Sequence, residues 1–110
     1  MKDTISGVFA ALGDPSRRYI FEQMLEDANG CTATELAMKA TISRQAIVKH
    51  LQVLVRADLA TTRRDGKEVR YFPRRDGTVG ASQWLSERSL AWDRRLAVLE
   101  EKVRTSPRRR

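Results

Sequence analysis

Between Thr34 and Leu59 the chain reads TELAMKATISRQAIVKHLQVLVRADL, and the break in the middle of this run admits few folds. Leu36, Ala37 and Ala40 recur at helical spacing until Thr41-Ile42-Ser43 interrupts them. Ser43 is a candidate N-cap, because its hydroxyl oxygen can accept a free backbone N–H at the start of a second helix, expected from about Arg44 to Ala57. The stretch therefore predicts two short helices meeting at a tight corner.

On a helical wheel, Ile47, Leu51, Leu54 and Val55 of the second helix gather on one side, and Gln45, Lys49, Gln52 and Arg56 on the other. Amide and cationic side chains on one stripe can make bidentate hydrogen bonds to base edges in a major groove. An ordinary solvated helix face is the alternative. The next segment of the chain weighs against it: Ala60 to Pro73 holds two β-leaning runs flanking Asp65-Gly66, a two-residue hairpin signal, with Arg63, Arg64 and Lys67 at the tip. A helix pair followed by a basic hairpin is the layout of a winged helix-turn-helix, mainly α with a small β-hairpin wing.

Charge placement supports the same expectation. The net charge is +7, and from Lys39 to Arg75 ten cations face three anions, so this segment alone carries a surplus equal to that of the whole chain. Clustering of this kind is expected of a nucleic-acid binder. A membrane surface would attract it too, but a membrane helix needs large apolar residues opposite its basic face, and here those are claimed by the core. At 110 residues the chain predicts one domain with a modest core. It has no run of some 18 apolar residues and no secretory signal near Met1, so a cytoplasmic location and no membrane partner are expected. The single Cys31 cannot form an internal disulfide.

The flanking segments complete a helical frame. Ile5, Val8, Phe9 and Leu12 form one apolar face of a first helix ended by Gly13. Asp14-Pro15 restarts the chain as N-cap and first helical position of a second helix. That helix is expected to reach about Ala28, to turn Ile20, Phe21, Met24 and Leu25 inward, and to close at Asn29-Gly30. Arg17 and Arg18 sit against the dipole near its start, which leaves a phosphate or partner contact open beside plain exposure. Cys31-Thr32-Ala33 is expected as an extended bridge, a short strand against the hairpin, with Thr32 or Thr34 capping the next helix and Glu35 placed to complete the cap. Asp58 follows the polar-striped helix in a position that asks for a left-handed backbone. Arg74 to Gly77 reads as a loop, and Ser106 to Arg110 as a disordered basic tail beyond a domain spanning residues 1–105.

A long last helix is expected from about Val79 to Val103. Leu85, Trp92, Leu96, Leu99 and Val103 form a narrow, heptad-like stripe along it. Such a seam on a terminal helix is readily covered by a second copy of the chain. A homodimer is therefore expected, its interface drawn from Ile5, Val8, Leu12, Leu85, Trp92, Leu96, Leu99 and Val103. Packing of the stripe on the protein's own first helix is the alternative, and both can hold at once. Trp84 and Trp92 on this element favour a substantial buried contact.

Three ordered segments carry a family resemblance: Val8 to Arg18 (VFAALGDPSRR), Ile42 to Leu51 (ISRQAIVKHL) and Arg63 to Tyr71 (RRDGKEVRY). They resemble the ALADPTRR, S-x-x-x-V-S-K-H-L and R-x-G-R-x-x-Y patterns of the ArsR family of bacterial winged-helix repressors, over about residues 5 to 73. The resemblance implies a homodimeric regulator that binds a roughly palindromic operator on double-stranded DNA. It places Ser43, Arg44, Gln45, Lys49 and His50 on the DNA-facing helix and Arg64 and Lys67 at the wing tip. With the polar stripe and the hairpin cations, the candidate DNA-binding set is Thr41, Ser43, Arg44, Gln45, Lys49, His50, Gln52, Arg56, Arg63, Arg64, Lys67 and Arg70. On the wheel His50 lies beside the core stripe, which suits a phosphate contact or packing better than base reading.

Many members of that family release DNA on binding metal through a Cys-x-Cys just before an Asp-Leu. This chain has Thr32 and Thr34 before Glu35-Leu36, with one Cys and one His in all. Soft metals need thiolates and zinc needs three or four ligands, so no metal site and no cofactor are expected, and any small-molecule effector is unspecified. Cys31 as a lone redox-sensing thiol is one alternative, and a small structural residue at a strand start is the ordinary one. An enzyme is not expected: the chain holds no nucleophile elbow, metalloprotease motif or phosphate-binding glycine loop, and Cys31 and His50 lack a third orienting group. A winged helix used as a protein-interaction module is the remaining rival.

Overall fold

In the computed structural model, which describes residues 3–105, five helices enclose a small antiparallel sheet. The order is α1 (Thr4–Leu12), α2 (Pro15–Glu26), β1 (Cys31–Thr32), α3 (Ala33–Ala40), α4 (Arg44–Arg56), β2 (Ala60–Asp65), β3 (Glu68–Pro73) and α5 (Arg75–Thr105). The expected tail from Ser106 lies outside the described residues. No described helix is long and apolar enough to cross a membrane.

Local chemistry starts each helix. The Asp14 carboxylate accepts from the N–H groups of Ser16 and Arg17, with Pro15 just behind it. Thr32, rather than Thr34, caps α3: its hydroxyl accepts from the Glu35 N–H while the Glu35 carboxylate takes the Thr32 N–H, a reciprocal capping box. Ser43 accepts from the Ala46 N–H to start α4. The corner between α3 and α4 depends on Thr41, which adopts a left-handed conformation at φ 54°, uncommon for a β-branched residue. Among the described residues Asp58 is the other non-glycine residue with positive φ, at 60°, where its carboxylate pairs with Arg74 at 3.3 Å.

Arg17 and Arg18 have a structural task. The Arg17 guanidinium donates to the carbonyls of Ala10 and Ala11, and that of Arg18 to Leu12, so the C-terminal carbonyls of α1 are satisfied by the next helix. Helix α2 stops at Glu26, two residues before Ala28, with Asp27 extended and Gly30 left-handed at φ 74°. Ile20 and Met24 are fully buried and Phe21 half-buried, but Leu25 is 59% exposed because it falls on the outer edge of the helix.

The core is a single cluster in which Ile20, Met24, Leu36, Ile47, Leu51, Leu54 and Leu59 are completely enclosed. Val8 and Ala11 of α1 join it, as does Ala81 of α5. The sheet runs β1-β3-β2, antiparallel throughout. Its hairpin turn comes one residue later than expected: Asp65 pairs with Glu68, leaving Gly66-Lys67 as the two-residue loop, with Gly66 at φ 63°.

Helix α5 begins at Arg75, four residues before its expected start, and takes in Arg75 to Gly77, which by sequence alone read as a loop. Arg74 pairs with Asp76 at 2.8 Å, and Thr78 donates its hydroxyl to the Arg75 carbonyl, closing the first turn. Gly77 permits this start. Its backbone lies against the α4–β2 turn, where a Cβ would stand 2.8 Å from the Ala57 carbonyl oxygen. Phe9 meets Trp84 edge-on at 5.7 Å where α1 packs across the first half of α5.

Candidate nucleic-acid interface

Helix α4 faces two ways. Ile47, Leu51 and Leu54 are 0% exposed, while Gln45, Lys49, Gln52 and Arg56 are all exposed on the reverse side. Rotating the helix to hide the polar stripe would expose three core residues at roughly 1.5 to 3 kcal/mol each, so the core itself dictates which side meets solvent. At 1.5 Å per residue the stripe runs about 16 Å along the axis, and a major groove about 12 Å wide admits a helix presenting it.

The wing borders a cleft that it shares with the start of α3 and the flank of α4, lined by Thr32, Thr34, Glu35, Arg44, Val48, Lys67, Val69 and Tyr71. Strand alternation puts Arg64 on the sheet face shared with Val69 and Tyr71, and Arg63 on the opposite face with Arg70 and Phe72. Arg63 is exposed but stacks over the Phe72 ring at 5.3 Å, which steadies its guanidinium outside the cleft. Arg64 and Lys67 are exposed at the tip, and Thr41 and Ser43 are exposed at the corner before α4. The Nε of Arg44 donates to the Thr34 hydroxyl at 3.3 Å, tying the first residue of α4 to α3 while its side chain remains exposed.

Arg70 is engaged elsewhere in the fold, and His50 lies beside the core as its place on the helical wheel predicts. Arg70 turns away from the wing tip: its Nη1 donates to the carbonyls of Asn29 and Gly30 and lies 3.5 Å from Glu35, while its Nη2 pairs with Glu68 at 3.3 Å. It is a tie between the wing, the α2–β1 loop and α3. The sequence could not separate it from its neighbours, since period-two alternation sends residues 69 and 71 to one face and 70 to the other without saying which face is wet. His50 is half-buried within electrostatic reach of Asp14. Desolvation opposes ionisation of Asp14, but the N–H groups of Ser16 and Arg17, with the nearby Arg17 guanidinium, together outweigh it and hold its carboxyl below the ordinary value.

The candidate interface between copies divides in the same way. Val8 is 2% exposed in the chain's own core and offers nothing to a partner, a correction to its expected place at the interface. Ile5 and Leu12 are half-buried, whereas Leu85, Trp92, Leu96, Leu99 and Val103 are between 38% and 76% exposed. Packing of the α5 stripe on the protein's own first helix holds for its beginning, which α1 covers, and the remainder of the stripe is exposed.

Cys31 is 1% exposed, and burial first, then the Asp27 carboxylate, push its thiol up from the ordinary value. Cys31 is an enclosed core residue, and its burial lowers the reactivity of the thiol. Among the described residues no group of three His, Cys, Asp or Glu side chains is arranged to hold a metal ion.

A three-helix core, a tight corner leading into a solvent-facing polar helix, and a basic hairpin beside it define a winged helix-turn-helix DNA-binding fold. Comparison with known proteins agrees. Residues 12–63 match a family described as a helix-turn-helix domain. The uncharacterized HTH-type transcriptional regulator YuzN of Bacillus subtilis (strain 168) is 41% identical over 73 residues, covering 61% of this chain and 78% of YuzN. Transcriptional repressor SdpR of the same organism is 33% identical over 67 residues, covering 61% of this chain and 72% of SdpR. Among solved structures, an ArsR-like transcriptional regulator from Rhodococcus sp. RHA1 superposes with a TM-score of 0.75 at 33% identity, covering 89% of this chain and 91% of that one. The chain belongs to the ArsR family of winged helix-turn-helix transcriptional regulators. It is a regulator of transcription and not an enzyme.

Proposed function

We propose that the protein is a homodimeric repressor, working in the cytoplasm, that binds a roughly palindromic operator through residues 43–57 and the wing at residues 60–73. The observation that carries this reading is the outward stripe of Gln45, Lys49, Gln52 and Arg56 on a helix whose other side is completely enclosed. In this reading Gln45, Lys49, Gln52 and Arg56 meet base edges, and Thr41, Ser43, Arg44, Arg63, Arg64 and Lys67 meet phosphates. His50 supports the helix from beside Asp14, and Arg70 holds the wing at its set distance. The dimer reading is supported by the exposed apolar stripe of α5. The repressor reading is supported by the kinship with SdpR. Thr32 and Thr34 in place of thiolates support release of DNA by a signal other than a metal.

The test is selection of bound fragments from genomic DNA, followed by titration of the recovered site between 50 and 200 mM salt. Half-sites whose centres lie about 10 base pairs or a multiple apart are expected. Affinity should fall on the order of a thousandfold or more over that salt range if some 6 to 10 phosphates are contacted. A weak salt response, with no fragment enriched over random DNA, would instead indicate a protein-interaction module.

A further inference from the structure

The outward stripe of α4 is bracketed by two different elements. Around the helix, Arg44 and Val48 lie on one flank of the stripe and line the cleft shared with the wing. His50 lies on the other flank, within electrostatic reach of Asp14, the cap of α2. The first turn of α2 therefore stands across the polar helix from the wing. A helix lying in a major groove about 12 Å wide has a sugar–phosphate strand on each side. The exposed cations of the wing tip, Arg64 and Lys67, are placed for one of those strands. The other strand would run past the start of α2 and the end of α3.

At that place is a shallow cleft of about 340 Å³, lined by Ser16 and Tyr19 of α2, Lys39 and Ala40 of α3, and Ile42 of the corner. Ile42 makes it continuous with Thr41 and Ser43, its exposed neighbours before α4. Tyr19 is 40% exposed and Ile42 36%, and Lys39 is exposed beside them. Among the described residues the Tyr19 phenol, the Ser16 hydroxyl and the Lys39 ammonium make no side-chain hydrogen bond or ion pair within the chain. The first N–H groups of α2 are already taken by Asp14, so the donors of the cleft are its side chains. The charge of Asp14 is met by those same groups and by Arg17 at 3.7 Å. Glu22, one turn beyond Tyr19, is exposed and does not line the cleft.

We propose that this cleft seats a backbone phosphate of the operator, on the strand across the major groove from the one met by the wing. Lys39 supplies the charge, the hydroxyls of Tyr19 and Ser16 donate to phosphate oxygens, and the Tyr19 ring and Ile42 lie against the deoxyribose. The inference rests on the DNA-binding function proposed above and adds these four residues to its contacts. Held from both sides, α4 keeps one register in the groove, and Gln45 and Lys49 meet base edges at a fixed depth.

The test uses the recovered operator and the full-length protein. Lys39→Met keeps the aliphatic stem and removes one cation. Each neutralised phosphate contributes about 0.9 to the salt slope, so this variant should lose roughly fivefold to tenfold in affinity near 0.1 M salt, on specific and random DNA alike, with the slope reduced by about one. Tyr19→Phe should weaken binding roughly threefold at an unchanged slope, because the lost donor carries no charge, and should keep the wild-type Tm. Ethylation of single phosphates locates the contact. The position whose ethylation blocks the wild type but not Lys39→Met should lie across the major groove from the position lost in Lys67→Ala. If Lys67→Ala lowers the slope while Lys39→Met changes neither slope nor ethylation pattern, the inference is overturned and the DNA-binding function stands; a Lys39 position on the strand met by Lys67 has the same consequence. Absence of salt-dependent DNA binding in the wild type would overturn both.

Discussion

Replacing Arg70 by Met separates a wing that touches DNA through this residue from a wing that is held in place by it. The Arg70 side chain is 26% exposed and donates from one nitrogen to two carbonyls, Asn29 at 3.3 Å and Gly30 at 3.4 Å. A hydrogen bond from a charged donor contributes about 1.5 to 3 kcal/mol at its best, and two long bonds shared by one nitrogen belong at the lower end, roughly 1 to 1.5 kcal/mol together. The ion pairs to Glu35 and Glu68 add little, a few tenths of a kcal/mol each, because those carboxylates are 44% and 58% exposed and water screens them. Arg70→Met keeps the apolar stem and should therefore cost about 1.5 to 2 kcal/mol, lowering Tm by about 6 to 12 °C in a domain of this size. Thermal unfolding followed by circular dichroism reads the first quantity, and the salt dependence of DNA affinity reads the second. The salt slope should not change. A Tm within about 2 °C of wild type, together with a slope reduced by about one, would show that Arg70 meets a phosphate and would refute the structural assignment.

Gln45→Ala should relax discrimination at one operator base by roughly 1 to 3 kcal/mol, and equal losses on specific and random DNA would exclude base reading. Lys67→Ala should weaken binding to all sequences and lower the salt slope by about one, the result Arg70→Met should not give. Leu96→Glu places a charge in the exposed α5 seam and should yield folded monomers with poor half-site affinity, as judged by sedimentation and titration. The folded pKa of Asp14 lies below its unfolded value, so the stabilisation of α2 by this cap is present above the unfolded value and lost as pH falls through the folded one. The Tm difference between wild type and Asp14→Ala should hold from pH 7 to 5 and shrink below about pH 4. Alkylation of Cys31 at pH 8 should be slow in the native protein and rapid in denaturant, and fast native labelling would contradict its enclosure.

The sequence by itself determined the elements and their kind. Ser43, Asp14-Pro15 and the Thr32–Glu35 pair are local signals, since a cap acts within three residues and is complete before any tertiary contact forms. The outward stripe of α4 was equally legible, because a helix with one apolar side has only one way to face a core. What tertiary structure alone decided were questions of company. Val8 and Phe9 share the apolar side of α1, yet one is enclosed and the other 39% exposed against Trp84, according to how α5 crosses above them. Arg17, Arg18 and Arg70 look like free cations in the sequence, and backbone carbonyls brought close by folding engage all three. The early start of α5 turned on Gly77 meeting the Ala57 and Asp58 carbonyls, twenty residues back in the chain. Periodicity reports which face of an element is apolar; which neighbour covers that face, and how much of it is left for a partner, depends on non-local geometry.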